Sequence, residues 1–393
     1  MNLWYKVGSR NEQPGKSGFA HLFEHMMFQG SENVGKAEHM KLISDVGGTV
    51  NGSTTQDRTN YWEVVPANQL ELALWLEADR MRSLNISREN FENQRDTVKE
   101  ERRLRVDNQP YMRVVFELKD DLAYSNFAYK HSVIGTMKDL DNADLDDVRQ
   151  FHAIYYRPNN ALLSLVGDFE VRDALTLIHK YFDNIPAGPA VPPLDLAEPP
   201  QASEKRSVFE DPFAPFPAYL ISFHIPDRTH PDYYALELIE RILFDGESSR
   251  FYRSLVEEKE LALHTFGGGD GKFGPGLFFH FAQIKPGHTV RELEQEVLSQ
   301  FDRLLNEPVT QAELEKARNK IKSDFISRQE TVREISDHLC MYSMLFDDPR
   351  LLRTEIDRFL HLTREDLLTV ARKYFTHAQR SVIEVYPKNG KSG

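Results

Sequence analysis

Six prolines crowd into fifteen positions near the middle of the chain: Pro186, Pro189, Pro192, Pro193, Pro199 and Pro200. Proline has no N–H to give a helix or a ladder and its φ is fixed, so this stretch predicts an extended linker. It separates residues 1–185 from residues 203–393, with 186–202 as the connection. Each side is long enough to build its own core.

The two sides share a grammar. Each opens on short strands, passes through amphipathic helices and closes on an apolar strand. In the first half the closing strand is Ala161-Leu162-Leu163-Ser164-Leu165-Val166, stopped by Gly167-Asp168. In the second it is Ser381-Val382-Ile383-Glu384-Val385-Tyr386, stopped by Pro387. A helix precedes each, over 144–155 and 364–375. The recurrence predicts an α+β chain of two homologous domains, each an antiparallel-rich sheet with helices packed on it. In the first half, helices are expected at 18–28, 36–46, 68–83 and 87–105, with Ser87 as an N-cap. Residues 47–54 and 59–65 read as paired strands. Gly267-Gly268-Gly269-Asp270-Gly271 lacks the Lys-Ser/Thr of a phosphate loop and is expected to be a turn or hinge.

Charge and cysteine narrow the function. The formal net charge is −13, which disfavours binding to a phosphate backbone or an anionic membrane surface. The single cysteine, Cys340, excludes an internal disulfide framework and any Cys-based zinc finger. No apolar run is long enough to predict a membrane span. The first residues lack a signal peptide's basic and apolar regions, and Leu3, Tyr5 and Val7 alternate with Asn2, Trp4 and Lys6 as in a strand. A chain opening inside a strand leaves two expectations for its compartment: periplasmic if the N-terminus is truncated, cytoplasmic otherwise.

Chemistry concentrates in His21-Leu22-Phe23-Glu24-His25. Helical residues four apart lie about 40° apart around the axis, so both imidazoles leave one face within reach of one ion. Glu24 sits beside that face, outside easy coordination yet able to hold a water. Zinc accepts two imidazoles and a carboxylate, keeps a fourth position for water and lowers that water's pKa. Glu24 is then the expected general base, passing the proton to a leaving amine. This is the inverted zincin pattern H-x-x-E-H. The bland alternative is a satisfied core cluster or a solvated helix face. Phe19, Leu22, Phe23, Met26, Met27 and Phe28 bury the helix, and buried histidines need partners.

Around this motif the chain resembles the pitrilysin (insulinase) family of zinc peptidases, in its mitochondrial-processing-peptidase-like branch. The resemblance is carried by Gly8-Ser9-Arg10-Asn11-Glu12, by Gly18 through Gly30, by Asn51 and Thr54, by Tyr124 through Gly135, by Tyr156-Arg157-Pro158-Asn159-Asn160 and by Val166-Gly167-Asp168. It resumes at Pro231-Asp232-Tyr233-Tyr234-Ala235 and Ser248-Ser249-Arg250. It implies a zinc endopeptidase acting on peptides or small unfolded proteins, with one Zn2+ per chain and two homologous domains forming half of a clamshell. The competing class is a non-catalytic scaffold subunit of the same fold, which typically lacks the ligands that stand here.

Site roles follow from the resemblance. The third ligand is a glutamate on a later helix, and Gln94-Arg95-Asp96-Thr97-Val98-Lys99-Glu100-Glu101 places Glu101 there, with Glu100 as the competitor. One residue turns a helical side chain by about 100°, so only one of the two can face the metal. Many relatives carry a glutamate where Gln94 stands, and its amide is expected to support a ligand imidazole. Asn51, Gly52 and Ser53 correspond to the edge strand on which family substrates lie. Without the resemblance they read equally well as a polar hairpin with a bulge at Gly52. Finally, active relatives carry an Arg and a Tyr in a second-half segment where this chain has Val256 and Leu263. The expected partner is therefore a homologous subunit carrying that pair, in a heterodimer, with a homodimer as the alternative.

Overall fold

The computed structural model describes residues 1–388, and the chain divides into two compact units. Unit 1 comprises residues 1–102, 127–195 and 328–352; among the described residues, unit 2 comprises 103–126, 196–327 and 353–388.

In unit 1, strands β1 (Asn2–Tyr5), β2 (Thr49–Thr54), β3 (Thr59–Val64) and β4 (Ala161–Ser164) form an antiparallel sheet in the order β2-β3-β1-β4. Strand alternation sorts the side chains between two faces. Leu3, Tyr5 and Tyr61 enter a core with Phe23 and Met26 of the helix Phe19–Met26 and Phe151 of the helix Leu145–Tyr155. The Phe23 ring lies 4.1 Å from that of Tyr156. On the other face Asn2 donates to Asp337 at 3.1 Å and Arg333 stacks over Trp62 at 4.4 Å, both from the helix Val332–Phe346.

Unit 2 holds β5 (Lys205–Asp211), β6 (Ala218–Ile225), β7 (Ala262–Gly269), β8 (Gly276–Ile284) and β9 (Arg380–Pro387), in the order β5-β9-β6-β8-β7. β5 pairs with β9 in parallel and the other pairings are antiparallel. The run β7-β8-β6-β9 repeats the order and connectivity of β2-β3-β1-β4, with the helix Asp232–Phe244 standing where Phe19–Met26 stands in unit 1. The two domains are structural repeats. β6 is buried along nearly its whole length because helices cover it.

The units do not follow a single cut at the proline-rich segment. Residues 103–126 join unit 2 because the Tyr111 amide donates to Asp211 at 2.7 Å and Tyr111 and Val114 pack with Leu220, Phe281 and Val385. Residues 328–352 join unit 1 because the helix Val332–Phe346 covers the polar face of its sheet. The glycine run corrects another expectation. Gly267, Gly268 and Gly269 lie in edge strand β7, not in a turn. A Cβ on Gly267 would lie 2.4 Å from the Phe279 carbonyl oxygen, so close backbone packing, not flexibility, requires glycine there.

Candidate metal centre

The helix Phe19–Met26 spends Phe19, Ala20, Leu22, Phe23 and Met26 on the core. That face fixes the rotation of the helix, and His21, Glu24 and His25 are left on its half-buried flank. The two imidazole rings meet edge to face with centroids 4.8 Å apart. The helix Arg88–Arg102 is anchored the same way, through Asn90, Phe91, Gln94, Val98 and Arg102, and its first turn is capped by Ser87, whose Oγ accepts the Asn90 N–H at 3.2 Å. Burying that stripe turns Glu101 toward the imidazoles and leaves Glu100 exposed.

Glu101 Oε2 lies 3.6 Å from His21 Nε2 and 3.3 Å from His25 Nε2. Two ligands about 2.0–2.1 Å from a tetrahedral ion are about 3.3–3.4 Å apart, so this donor set has the spacing and the chemistry that zinc takes. All three side chains keep some access to solvent, at 15–23% of their surface. A donor set open on one side suits a catalytic ion that keeps a position for water.

Glu24 stands between this cluster and the sheet edge. Its Oε2 accepts a 2.5 Å hydrogen bond from Thr54 Oγ1. Its Oε1 lies over Gly52, where a Cβ would come within 3.2 Å. Burial raises the Glu24 carboxyl above its ordinary value; the Thr54 bond and the charges of His25 and Arg58 oppose that shift, and Glu101 adds to it. β2 is the edge of its sheet and pairs with β3 residue by residue from Thr49↔Val64 to Thr54↔Thr59, with no bulge at Gly52. Its Gly52 and Thr54 face Glu24.

Three expected residues make hydrogen bonds of their own. Gln94 is buried two turns before Glu101, and its Nε2 donates to Asn93 Oδ1 at 2.9 Å, which leaves its carbonyl oxygen as the atom able to accept an imidazole N–H. Asn51 and Ser53 alternate with Gly52 and Thr54, so their side chains leave the face opposite Glu24. Asn51 Oδ1 accepts the Gly52 N–H at 2.9 Å, and Ser53 Oγ donates to Asn60 at 2.7 Å. Thr54 is the contact that the motif alone does not reveal; the signal was the same two-residue alternation that brings Gly52 to the base.

Among the described residues a second group, His39, Glu63 and Glu77, also brings donors together. There His39 Nε2 and Glu63 Oε1 are 2.5 Å apart, a direct hydrogen bond too close for two ligands of one tetrahedral ion. Arg80 holds both Glu77 oxygens and already supplies the positive charge. That group is a buried polar network. Elsewhere, His280 is fully buried, pushed down to about 3 by burial and stacked on Phe251 at 4.2 Å, a core histidine.

An α+β pair of structural repeats, with two histidines and a distant glutamate gathered in the first repeat alone, defines a class of metallopeptidase fold, and comparison identifies it. Residues 1–137 match the model of insulinase (peptidase family M16), and residues 142–321 match that of the peptidase M16 inactive domain. Zinc protease PqqE of Helicobacter pylori is 32% identical over 389 residues, covering 98% of this chain and 87% of that protein. Human mitochondrial-processing peptidase subunit beta is 22% identical over 401 residues, covering 98% of this chain and 80% of that protein. The crystal structure of a protease from Helicobacter pylori superposes with a TM-score of 0.94 at 32% identity, covering 98% of this chain and 93% of that one. The chain belongs to the M16, or pitrilysin/insulinase, family of peptidases, in the branch that includes the mitochondrial processing peptidases. No helix among the described residues is long and apolar enough to cross a membrane.

Proposed function

We propose that this chain is a zinc-dependent endopeptidase that cuts peptides or small unfolded proteins, with His21, His25 and Glu101 as the metal ligands and Glu24 as general base. The carrying observation is the 3.3 and 3.6 Å spacing of Glu101 Oε2 from the two imidazoles, beside the half-buried Glu24 carboxylate. Zinc bound by these residues would supply Lewis acidity and a lowered water pKa. Glu24, steadied by Thr54, takes the proton of the attacking water and returns it to the leaving amine. The open edge of β2 accepts an extended peptide as an added antiparallel strand, holding it through main-chain bonds that tolerate many sequences.

Metal analysis combined with peptide hydrolysis tests the assignment. Glu24→Gln should retain about one zinc per chain while activity falls roughly 10²–10⁴-fold, since the base and not a ligand is removed. Equal activity in variant and parent would show a scaffold subunit or a different base. Glu101→Gln should lose zinc occupancy and Glu100→Gln keep it; the reverse would move the ligand by one residue.

A further inference from the structure

The helix that carries His21 and His25 is two turns long and begins at Gly18, whose φ is +91° and which offers no side chain to cap it. Its first amides are taken from outside. Glu12, almost wholly buried, accepts the Gly18 N–H on Oε2 at 2.8 Å and the Ala20 N–H on Oε1 at 2.7 Å. His131 holds Glu12 in turn: its Nε2 lies 2.9 Å from Glu12 Oε2 while its Nδ1 donates to the Phe127 carbonyl at 2.7 Å.

Four residues on, the same segment reaches the other ligand helix. Arg102, next in sequence to Glu101, donates to the Gly135 carbonyl. Gly135 is pressed against the start of the first helix: a Cβ there would lie 2.3 Å from the Ser17 carbonyl oxygen, and one on Gly18 would lie 2.7 Å from that of Ile134. Ser17 Oγ donates to Asp139 at 2.5 Å and accepts the Thr136 N–H at 3.1 Å. One short stretch of chain thus grips the start of the His21–His25 helix and the end of the Glu101 helix.

We propose that residues 131–139 form a strap that sets the separation between the two histidines and Glu101, with Glu12 and His131 as its positioning residues. The inference rests on the metal-site reading above. None of the strap residues is itself a proposed ligand. They act through the Gly18 and Ala20 amides, three residues and one residue before His21, and through the guanidinium of Arg102 beside Glu101, and a site works only when its donors are held to within about 0.5 Å.

The test is zinc affinity, read by competition with a chromophoric chelator. Glu12→Ala and His131→Ala should weaken zinc binding about tenfold or more, and His131→Gln, which can again donate to Glu12, should recover most of the loss. Leu293→Ala, in the core of unit 2, serves as a control for simple destabilisation and should leave zinc affinity at the parent value. Strap variants that lose thermal stability yet bind zinc like the parent, or a control that loses zinc equally, overturn the inference. Should Glu12→Ala fail to fold, the two His131 variants decide. A parent that binds no zinc, or binds it without His21, overturns the underlying reading; His21-dependent zinc with an indifferent strap overturns the strap alone.

Discussion

Gly52 is held to glycine by what stands over it. A methyl group there would lie 3.1 Å from the Tyr61 ring and 3.2 Å from Glu24 Oε1, tighter than ordinary contact on both sides. Tyr61 is pinned from behind by Arg80, whose guanidinium lies 4.2 Å from its ring centroid, so Glu24 is the group that yields. Gly52→Ala is therefore expected to lower kcat roughly tenfold or more at unchanged zinc content, because small misplacements of a reacting group are costly. Stability should hold, since alanine restricts the unfolded chain more than glycine does. Parent-like kcat would show that the base has room to spare. Thr54 gives a paired expectation: Thr54→Val, which keeps the shape and removes the donor to Glu24, should slow hydrolysis, and Thr54→Ser should restore it. Side by side in steady-state kinetics, equal rates for the two variants would remove Thr54 from the site. At this scale much was legible. H-x-x-E-H declares its own geometry because helix period alone puts both imidazoles on one flank, whereas the face that Asn51 presents depends on strand register, which no motif encodes.

Between elements, buried charge is what the sequence analysis left unread. Helix Leu70–Ser83 carries Glu77 and Arg80, two charged side chains that are both buried, with Glu63 of β3 and His39 beside them. Arg80 Nε bonds Glu77 at 2.8 Å. Burial pushes Glu63 up to about 7, against the pull of Arg80, and raises Glu77 too. The folded chain thus holds the Glu63 proton more tightly than the unfolded chain does. The stability this contributes is fully present below the unfolded value of 4.5 and is lost as pH rises through about 7. His39, pushed down to about 3 by burial and then by Arg80, acts in the opposite sense, its contribution disappearing as pH falls from 6.5 toward 3. In Glu63→Gln only the first slope is removed. The stability difference between variant and parent should therefore shift in the variant's favour from pH 5 to pH 8, read from urea midpoints; a difference independent of pH would mean that Glu63 does not titrate in that window. The same blindness explains the exchanged segments 103–126 and 328–352. Amphipathic periodicity says that a helix buries a face, but not which sheet will cover it.

For the whole molecule, the duplicated pattern of strands and helices was readable because each repeat closes on a strong apolar strand, and the structure extends that likeness to strand order. The repeats differ in chemistry: the zinc motif has no counterpart in the helix Asp232–Phe244. The second repeat also lacks what active relatives place there. Val256 packs against the apolar core of unit 2, and Leu263 is a partly exposed aliphatic side chain at an irregularity in the β7–β8 pairing. Neither can donate a hydrogen bond to a substrate carbonyl or an oxyanion, and loss of one such donor typically slows a reaction 10²–10³-fold. His264, next to Leu263, is exposed and could replace a tyrosine donor, but no arginine stands at the Val256 position to complete the pair. We therefore propose the division of labour that the resemblance implied: this chain would bring the metal and the base, and a homologous chain the Arg and Tyr. Purified alone it should bind zinc and cleave peptides slowly, and adding a homologous chain that carries the pair should raise kcat by about 10²–10³-fold with no change in zinc content. A homodimer predicts the contrary, full turnover from this chain alone with a rate per chain that rises with its concentration, so activity measured across a dilution series, with and without the partner, separates the two assemblies.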